Sequence, residues 1–284
     1  MRARLLAGFN IARHYIRNYP VLVSPSRSLG LFRDGSPWDY EAELRFGSRR
    51  FFARKEDMNA VHEVLLDDAY GFVAGFLKSL PRRPVVLDLG ANIGCFALRI
   101  FSAHPDARVV SVEAASDTYA VLQKNIARNV DLDWQALHAG VWESDGVLHL
   151  DRGERPVLNQ VSSDGDGDPV PALTVASLKR KMTLDSIDLI KMDIEGAENA
   201  VIPACIDDLE AKYLVVEMHR SLGDCTVACA MLQNRYPYAL THDASGSENP
   251  VYLISRHEVA APGMSLVNMV SHLTAFGPQS RQAS

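Results

Sequence analysis

The stretch Val85-Val86-Leu87-Asp88-Leu89-Gly90-Ala91-Asn92-Ile93-Gly94 constrains this chain more than any other. A short apolar run carries an acid near its end, two glycines follow four apart, and Cys95-Phe96-Ala97-Leu98-Arg99-Ile100 has apolar residues at helical spacing. Such a run reads as a buried parallel strand that passes through a tight turn into a helix. Glycine lets the turn approach a ligand closely, and the free N–H groups at the helix start favour a nucleotide-type ligand. The spacing G-x-x-x-G is not the dinucleotide fingerprint G-x-G-x-x-G. Asp88 would repel a pyrophosphate, but it suits a ligand with an ammonium group, such as the amino-acid end of S-adenosylmethionine. Strands also end in Asp and Gly for turn geometry alone, so the rest of the chain has to decide.

After that turn the pattern is strand, helix, strand, which predicts an α/β fold with a doubly wound, mostly parallel sheet. The expected strands are Val85 to Leu89, Arg108 to Val112 ending in Glu113, Trp134 to Ala139, Val147 to Leu150, Ile187 to Met192 ending at Asp193, and Tyr213 to Met218. Tyr238 to Thr241 and Val251 to Ser255 read as a closing antiparallel pair around Ser245-Gly246-Ser247. Ser116 or Asp117 can cap a helix running to about Asn129. Upstream, Tyr40 to Ala53 reads as a hairpin around Gly47-Ser48, and Asp57 to Leu80 as a helix ended by Pro81 and Pro84. The expected organisation is an N-terminal basic helix and hairpin over residues 1–60 that caps the substrate site. A cofactor-binding domain over 61–257 and a tail over 258–284 complete it.

Bulk properties exclude several classes. The net charge of −6 argues against a nucleic-acid partner, which requires a basic face. Cys95, Cys205, Cys225 and Cys229 form neither a C-x-x-C pair nor a zinc set, and no disulfide framework is implied, which favours a reducing, cytoplasmic location. Residues 1–33 hold six arginines and no acid. Leu5, Leu6, Phe9, Ile11, Tyr15 and Ile16 make residues 1–19 a basic amphipathic helix, too interrupted for a signal peptide or a membrane span. Such a helix either packs on its own domain or makes peripheral contact with an anionic membrane.

In an open α/β sheet ligands bind beyond the carboxyl ends of the strands. Glu113, about 25 residues after the glycine turn, is placed to accept from both hydroxyls of a ribose; the same acid would serve NAD, and an exposed strand end is the plain alternative. Lys191-Met192-Asp193-Ile194-Glu195-Gly196-Ala197-Glu198 puts four charges in eight residues directly after an apolar strand. Charges at a ligand edge are costly unless paired or used. Glu217 and His219 flank Met218 with period two, and a histidine suits proton removal near neutral pH. Two signals are set aside. Asp164-Gly165-Asp166-Gly167-Asp168 opens like a calcium loop, but Pro169 and Val175 stand where that loop needs Gly and Glu. Asn249-Pro250-Val251-Tyr252 resembles an amino-methylating motif, yet it lies too near the C-terminus and reads as a strand start.

Together, Asp88-Leu89-Gly90-Ala91-Asn92-Ile93-Gly94, Val112-Glu113, Leu122 to Asn129, and Lys191 to Glu198 resemble the FkbM family of methyltransferases, over roughly residues 50 to 255. Val215 to His219 is similar to that family's following strand. The resemblance implies a seven-stranded class I methyltransferase sheet and S-adenosylmethionine as cofactor. By position, Asp88, Gly90, Ala91, Asn92 and Gly94 would line the cofactor's methionine end, Glu113 its ribose, and the turn at Ala139 its adenine. Asp193, Glu195 and His219 would face the acceptor, His219 as first choice of base. Two departures stand out: Ala114 replaces a Pro after the strand-two acid, and Ala176 replaces the acid of a T-L-D-S-L segment at Thr174 to Leu178.

The function expected is O-methyl transfer to a hydroxyl of a sugar, glycan or natural-product scaffold. No metal ligand is assigned, although the acidic cluster could hold a divalent ion. The rivals are a nicotinamide-dependent oxidoreductase, whose glycine pattern is missing, and a non-catalytic interaction protein on a methyltransferase fold.

Overall fold

A computed structural model describes residues 41–66, 76–151, 160–162, 167–242, 249–259 and 263–275. The expected basic helix within residues 1–19, the Asp164–Asp168 acids other than Asp168, and the Ser245–Gly246–Ser247 turn lie outside them. The chain opens with the hairpin β1 (Ala42–Phe46) and β2 (Arg49–Ala53), paired antiparallel around Gly47 and Ser48 as the sequence predicts. A helical turn, Met58–Ala60, runs into a π-helical stretch, Val61–Leu66, and a short 3-10 turn spans Leu77–Ser79. The single long helix expected from Asp57 to Leu80 is therefore not described as one piece.

The turn-centred strand is β3 (Val85–Leu89), followed by α1 (Cys95–Ala103), β4 (Arg108–Glu113), α2 (Ser116–Arg128) and β5 (Asp133–His138). Next come β6 (Gly140–Val141), β7 (Gly146–Asp151), β8 (Gln160–Ser162) and β9 (Asp168–Leu173). After α3 (Val175–Met182), the chain forms β10 (Leu189–Met192), α4 (Glu198–Cys205), β11 (Tyr213–Glu217) and α5 (Thr226–Arg235). It ends with β12 (Tyr238–Thr241), β13 (Val251–Ser255), β14 (Ser265–Val267) and α6 (Met269–Ala275).

The main sheet has the order β14-β12-β13-β11-β10-β3-β4-β5. Strands β11, β10, β3, β4 and β5 run parallel, and β13, β12 and β14 complete it antiparallel. This is the doubly wound, mostly parallel sheet that the sequence predicts, with eight strands where seven were expected. The eighth is β14, within the stretch expected as a tail. The chain winds outward from β3 to β5 and then returns to β10, so the strand order reverses between β3 and β10. A crevice opens at such a reversal.

Each face of the sheet buries its own apolar core. One holds the hairpin, Val61, Val64 and Leu65 with α1 and α2; the other holds α3, α4, α5 and α6. The hairpin is tied down by polar groups the sequence pattern does not flag. Asn125 on α2 and Asn129 just past its end donate to the carbonyls of Phe52 at 3.0 Å and Arg50 at 2.9 Å. A second, four-stranded sheet, β6-β9-β7-β8, lies alongside. Strand β9 contains Pro169 and Pro171, which mask it in the sequence. Two apart, they lose N–H groups on one edge only, which a strand tolerates. Among the described residues no helix is long and apolar enough to cross a membrane.

Candidate active site

At the end of β3 the backbone turns through Gly90 (φ +76) and Asn92 (φ 51). The N–H groups of Gly90 and Ala91 both donate to the Val112 carbonyl at the end of β4, at 3.0 and 2.9 Å. A Cβ on Gly90 would lie 1.7 Å from the Asp193 carbonyl oxygen, and one on Gly94 2.4 Å from the Trp134 ring. The sequence assigned these glycines to close approach of a ligand. Instead each admits a neighbouring part of the protein: Gly90 the end of β10, Gly94 the base of β5. Locked in this way, the turn presents Gly90, Ala91 and Asn92 to a cavity of about 400 Å³. That size is within the roughly 300–1,000 Å³ typical of small-molecule sites.

Glu113 forms the next part of the wall. Its two carboxylate oxygens accept from Asn92 N and Ala115 N, both at 2.8 Å, so it joins the glycine turn to the start of α2. Each oxygen keeps a lone pair for a ligand hydroxyl. Burial raises the Glu113 carboxyl to about 7, against the pull of those two bonds. Ala139 donates its N–H to the Glu113 carbonyl at 3.0 Å and lines the cavity with Gly140 and Val141.

Asp88 is fully buried and does not line the cavity. It pairs in register with Lys191 on β10, whose ammonium is 3.7 Å from Asp88 Oδ1, 3.2 Å from Asp193 Oδ2 and donates to the Gly90 carbonyl at 2.7 Å. Burial raises Asp88 to about 6, and Lys191 pulls it back. Burial alone would lower Lys191, but Asp193 and Asp88 outweigh it and raise its pKa. The residue expected to meet the ligand's ammonium thus meets a lysine of the protein. Its carboxylate is spent on holding two strand ends together, while Asp193, half-buried and 3.2 Å from the same lysine, lines the cavity wall.

Opposite the glycine turn, acids converge on His219. The ring is 3% exposed. Its Nδ1 lies 3.1 Å from Glu198 Oε1, while Nε2 faces Glu195 Oε2 at 3.4 Å, Asp193 Oδ1 at 3.7 Å and Glu217 Oε1 at 3.9 Å. Burial alone would lower His219, yet the bond and charge of Glu198, with Asp193 and Glu217, raise it to about 10. Burial and the Asp193 charge lift Glu195 to about 8, and the same two causes raise Glu217. One ligand atom each from Asp193, Glu195 and His219 lies within 4.8 Å of the others, a spacing a single divalent ion could span.

The cavity therefore gathers Gly90, Ala91, Asn92, Glu113, Ala139, Asp193, Glu195 and His219 of the residues singled out in the sequence. Asp88 and Gly94 stand behind it. Three groups were missed. Glu217 was noted but not assigned, and it lines the cavity. Asn249, set aside with its Asn-Pro-Val-Tyr motif, stands two residues before β13, which the motif leads into as expected, and reaches the cavity wall. Asn59, Ala60, Glu63 and Val64 line it from the helical segment after the hairpin, across the expected boundary at residue 60. Of the departures, Ala114 lines the cavity and its carbonyl meets His138 Nε2 at 2.9 Å. Near Ala176, Asp145 supplies a carboxylate at the start of α3, accepting from Thr174 N at 2.8 Å.

Among the described residues, a doubly wound sheet carries a cavity of small-molecule size at its reversal point, lined by both apolar and charged groups. The model of the FkbM methyltransferase domain matches residues 88–235, and the chain belongs to that family. It is 29% identical over 174 residues to Methyltransferase sdnD of Sordaria araneosa, covering 49% of this chain and 65% of that relative, just under two thirds of its length. It is 27% identical over 210 residues to Methyltransferase 1 of Beauveria bassiana, covering 64% and 82%. A third match, 27% over 212 residues, is to the AMB antimetabolite synthetase AmbE of Pseudomonas aeruginosa, covering 59% of this chain and 10% of that one.

Proposed function

We propose that this chain is an S-adenosylmethionine-dependent O-methyltransferase acting on a hydroxyl of a sugar, glycan or natural-product scaffold. The observation that carries the reading is the meeting, in one cavity, of the Gly90–Asn92 turn, the Glu113 carboxylate and the acids around His219 Nε2. The residues suit the cofactor: Glu113 for the ribose hydroxyls, Ala139 and Val141 for the adenine, Asp193 for the ammonium. S-Adenosylmethionine would supply a methyl group already activated on a sulfonium. The protein's part is to align the acceptor oxygen and take its proton. His219 takes that proton through Nε2 once that nitrogen has given up its own, with Asp193 and Glu195 flanking it. The scaffold class follows the family resemblance. Asn59, Glu63 and Asn249 on the cavity rim would select the acceptor.

Calorimetric titration tests the cofactor. S-Adenosylmethionine is expected to bind and NAD not to, with Glu113→Ala weakening the former at least about tenfold. Binding of NAD alone, or silence from both, overturns the reading.

The raised protonation of the cluster gives a second expectation. Without added ligand, His219 and Glu195 hold protons at pH 7, being raised to about 10 and about 8. A fixed positive charge entering the cavity disfavours both protons. Wild-type protein should therefore release protons on binding S-adenosylmethionine, and fewer on binding S-adenosylhomocysteine, whose sulfur is neutral. By the same sign, affinity for the sulfonium rises with pH between about 7 and 10. Binding enthalpies in buffers of different ionisation enthalpy read this directly, and equal slopes for the two ligands would refute it.

A further inference from the structure

We infer that Glu198, the last acid of the Lys191-to-Glu198 motif, is a positioning residue that fixes which nitrogen of His219 can act. This rests on the proposed role of the ring. Glu198 is fully buried at the first turn of α4. Its Oε1 accepts from Ile194 N at 2.8 Å and its Oε2 from Gly196 N at 2.9 Å. The third contact, at 3.1 Å, is to His219 Nδ1.

Donor accounting settles the rest. Backbone N–H groups can only donate, so both carboxylate oxygens are already acceptors. Two backbone N–H donors on this pair of oxygens favour the ionised form over a carboxyl group that would hand its proton to the ring. Nδ1 must therefore be the donor, and its proton stays while Nε2 exchanges one with the cavity. A carboxylate behind a histidine, setting its tautomer and raising its basicity, is a recurring arrangement in reactive sites.

The same side chain does a second job. Glu195 (φ 53) and Gly196 (φ 95) are consecutive left-handed residues, and the first is strained without a glycine's freedom. The Glu198 bonds to Ile194 N and Gly196 N bracket Glu195. One carboxylate thus orients the ring and holds the backbone that aims Glu195 at Nε2. Glutamine cannot substitute. Its NH2 would face a donor at whichever oxygen it replaced.

Proton NMR of protein labelled with 15N-histidine tests this. The wild type is expected to show one downfield, slowly exchanging proton on His219 Nδ1, identified by its loss in His219→Asn. That proton should persist as pH is raised and Nε2 loses its own. In Glu198→Gln it should move upfield and exchange at least about tenfold faster. Glu195→Gln, which alters only the Nε2 side, should leave it in place. A wild-type ring that keeps its proton on Nε2, or an Nδ1 signal unchanged in Glu198→Gln, overturns the inference. Should Glu198→Gln fail to fold, the wild-type spectrum alone decides. Failure of S-adenosylmethionine to bind the wild type would sink the proposed function but leave this result readable.

Discussion

Replacing Gly90 with Ala is expected to destabilise the protein by at least about 3 kcal/mol and to abolish cofactor binding. Two costs combine. An L-residue at φ +76 gives up about 1–2 kcal/mol in the left-handed region. The larger cost is steric, because the new methyl would sit 1.7 Å from the Asp193 carbonyl oxygen. That neighbour is backbone and cannot rotate away, so the ends of β3 and β10 must separate. Separation displaces Ala91 and Asn92 from the cavity and pulls Asp193 with it. Gly47→Ala isolates the first cost. It too has positive φ (+57), but its Cβ would meet only Ser102 Oγ at 3.8 Å. Thermal denaturation should place Gly47→Ala about 1–2 kcal/mol below wild type with cofactor affinity intact. If Gly90→Ala matched it, the close approach at the strand reversal would carry no energetic weight.

That approach also marks the limit of what the sequence reveals. Strands β3, β4, β10 and β11 were legible because each is an apolar run with an acid at or beside its end, and the acids Glu113, Asp193 and Glu217 stand at the cavity edge as strand ends should. Asp88 was misplaced for a simple geometric reason. It lies one residue short of its strand's end, so its side chain stands perpendicular to the sheet rather than beyond it. Its partnership with Lys191 depends on the register of β3 against β10, residues about a hundred apart in sequence, and no local pattern encodes that. The role of Glu198 was hidden likewise. Three other charges crowd the same motif, and only the fold shows which of them meets the ring at Nδ1. Asn125 and Asn129 read as ordinary polar helix positions, although they hold the hairpin. Strand β14 was lost because its alternate residues are largely exposed at an edge, leaving little apolar signal.

The buried pair yields the other large effect. Lys191→Met should cost about 3–5 kcal/mol, the usual result of leaving one charge of a buried pair alone. The side chains of Lys191 and Asp88 are 5% and 0% exposed, so solvent cannot take over. The Lys191 charge is the main compensation for burying that carboxylate, with a smaller contribution from the Ser111 hydroxyl beside it. The sign of the pH dependence follows. Asp88 in the fold is already raised to about 6 from an ordinary value near 3.8, and losing Lys191 raises it further. Between the ordinary and the folded value the native state holds the extra proton, so stability is fuller at low pH and falls as pH rises. Lys191→Met should therefore be closest to wild type near pH 5 and worst at pH 8. Adding Asp88→Asn removes the stranded charge and should restore about 2 kcal/mol at pH 8, with little gain at pH 5. Recovery stays incomplete, because the Gly90 carbonyl has still lost the ammonium that held it at 2.7 Å. Urea denaturation of the four proteins at both pH values measures each term of this cycle. Purely additive losses would mean that Lys191 acts on the turn alone and that Asp88 finds its compensation elsewhere.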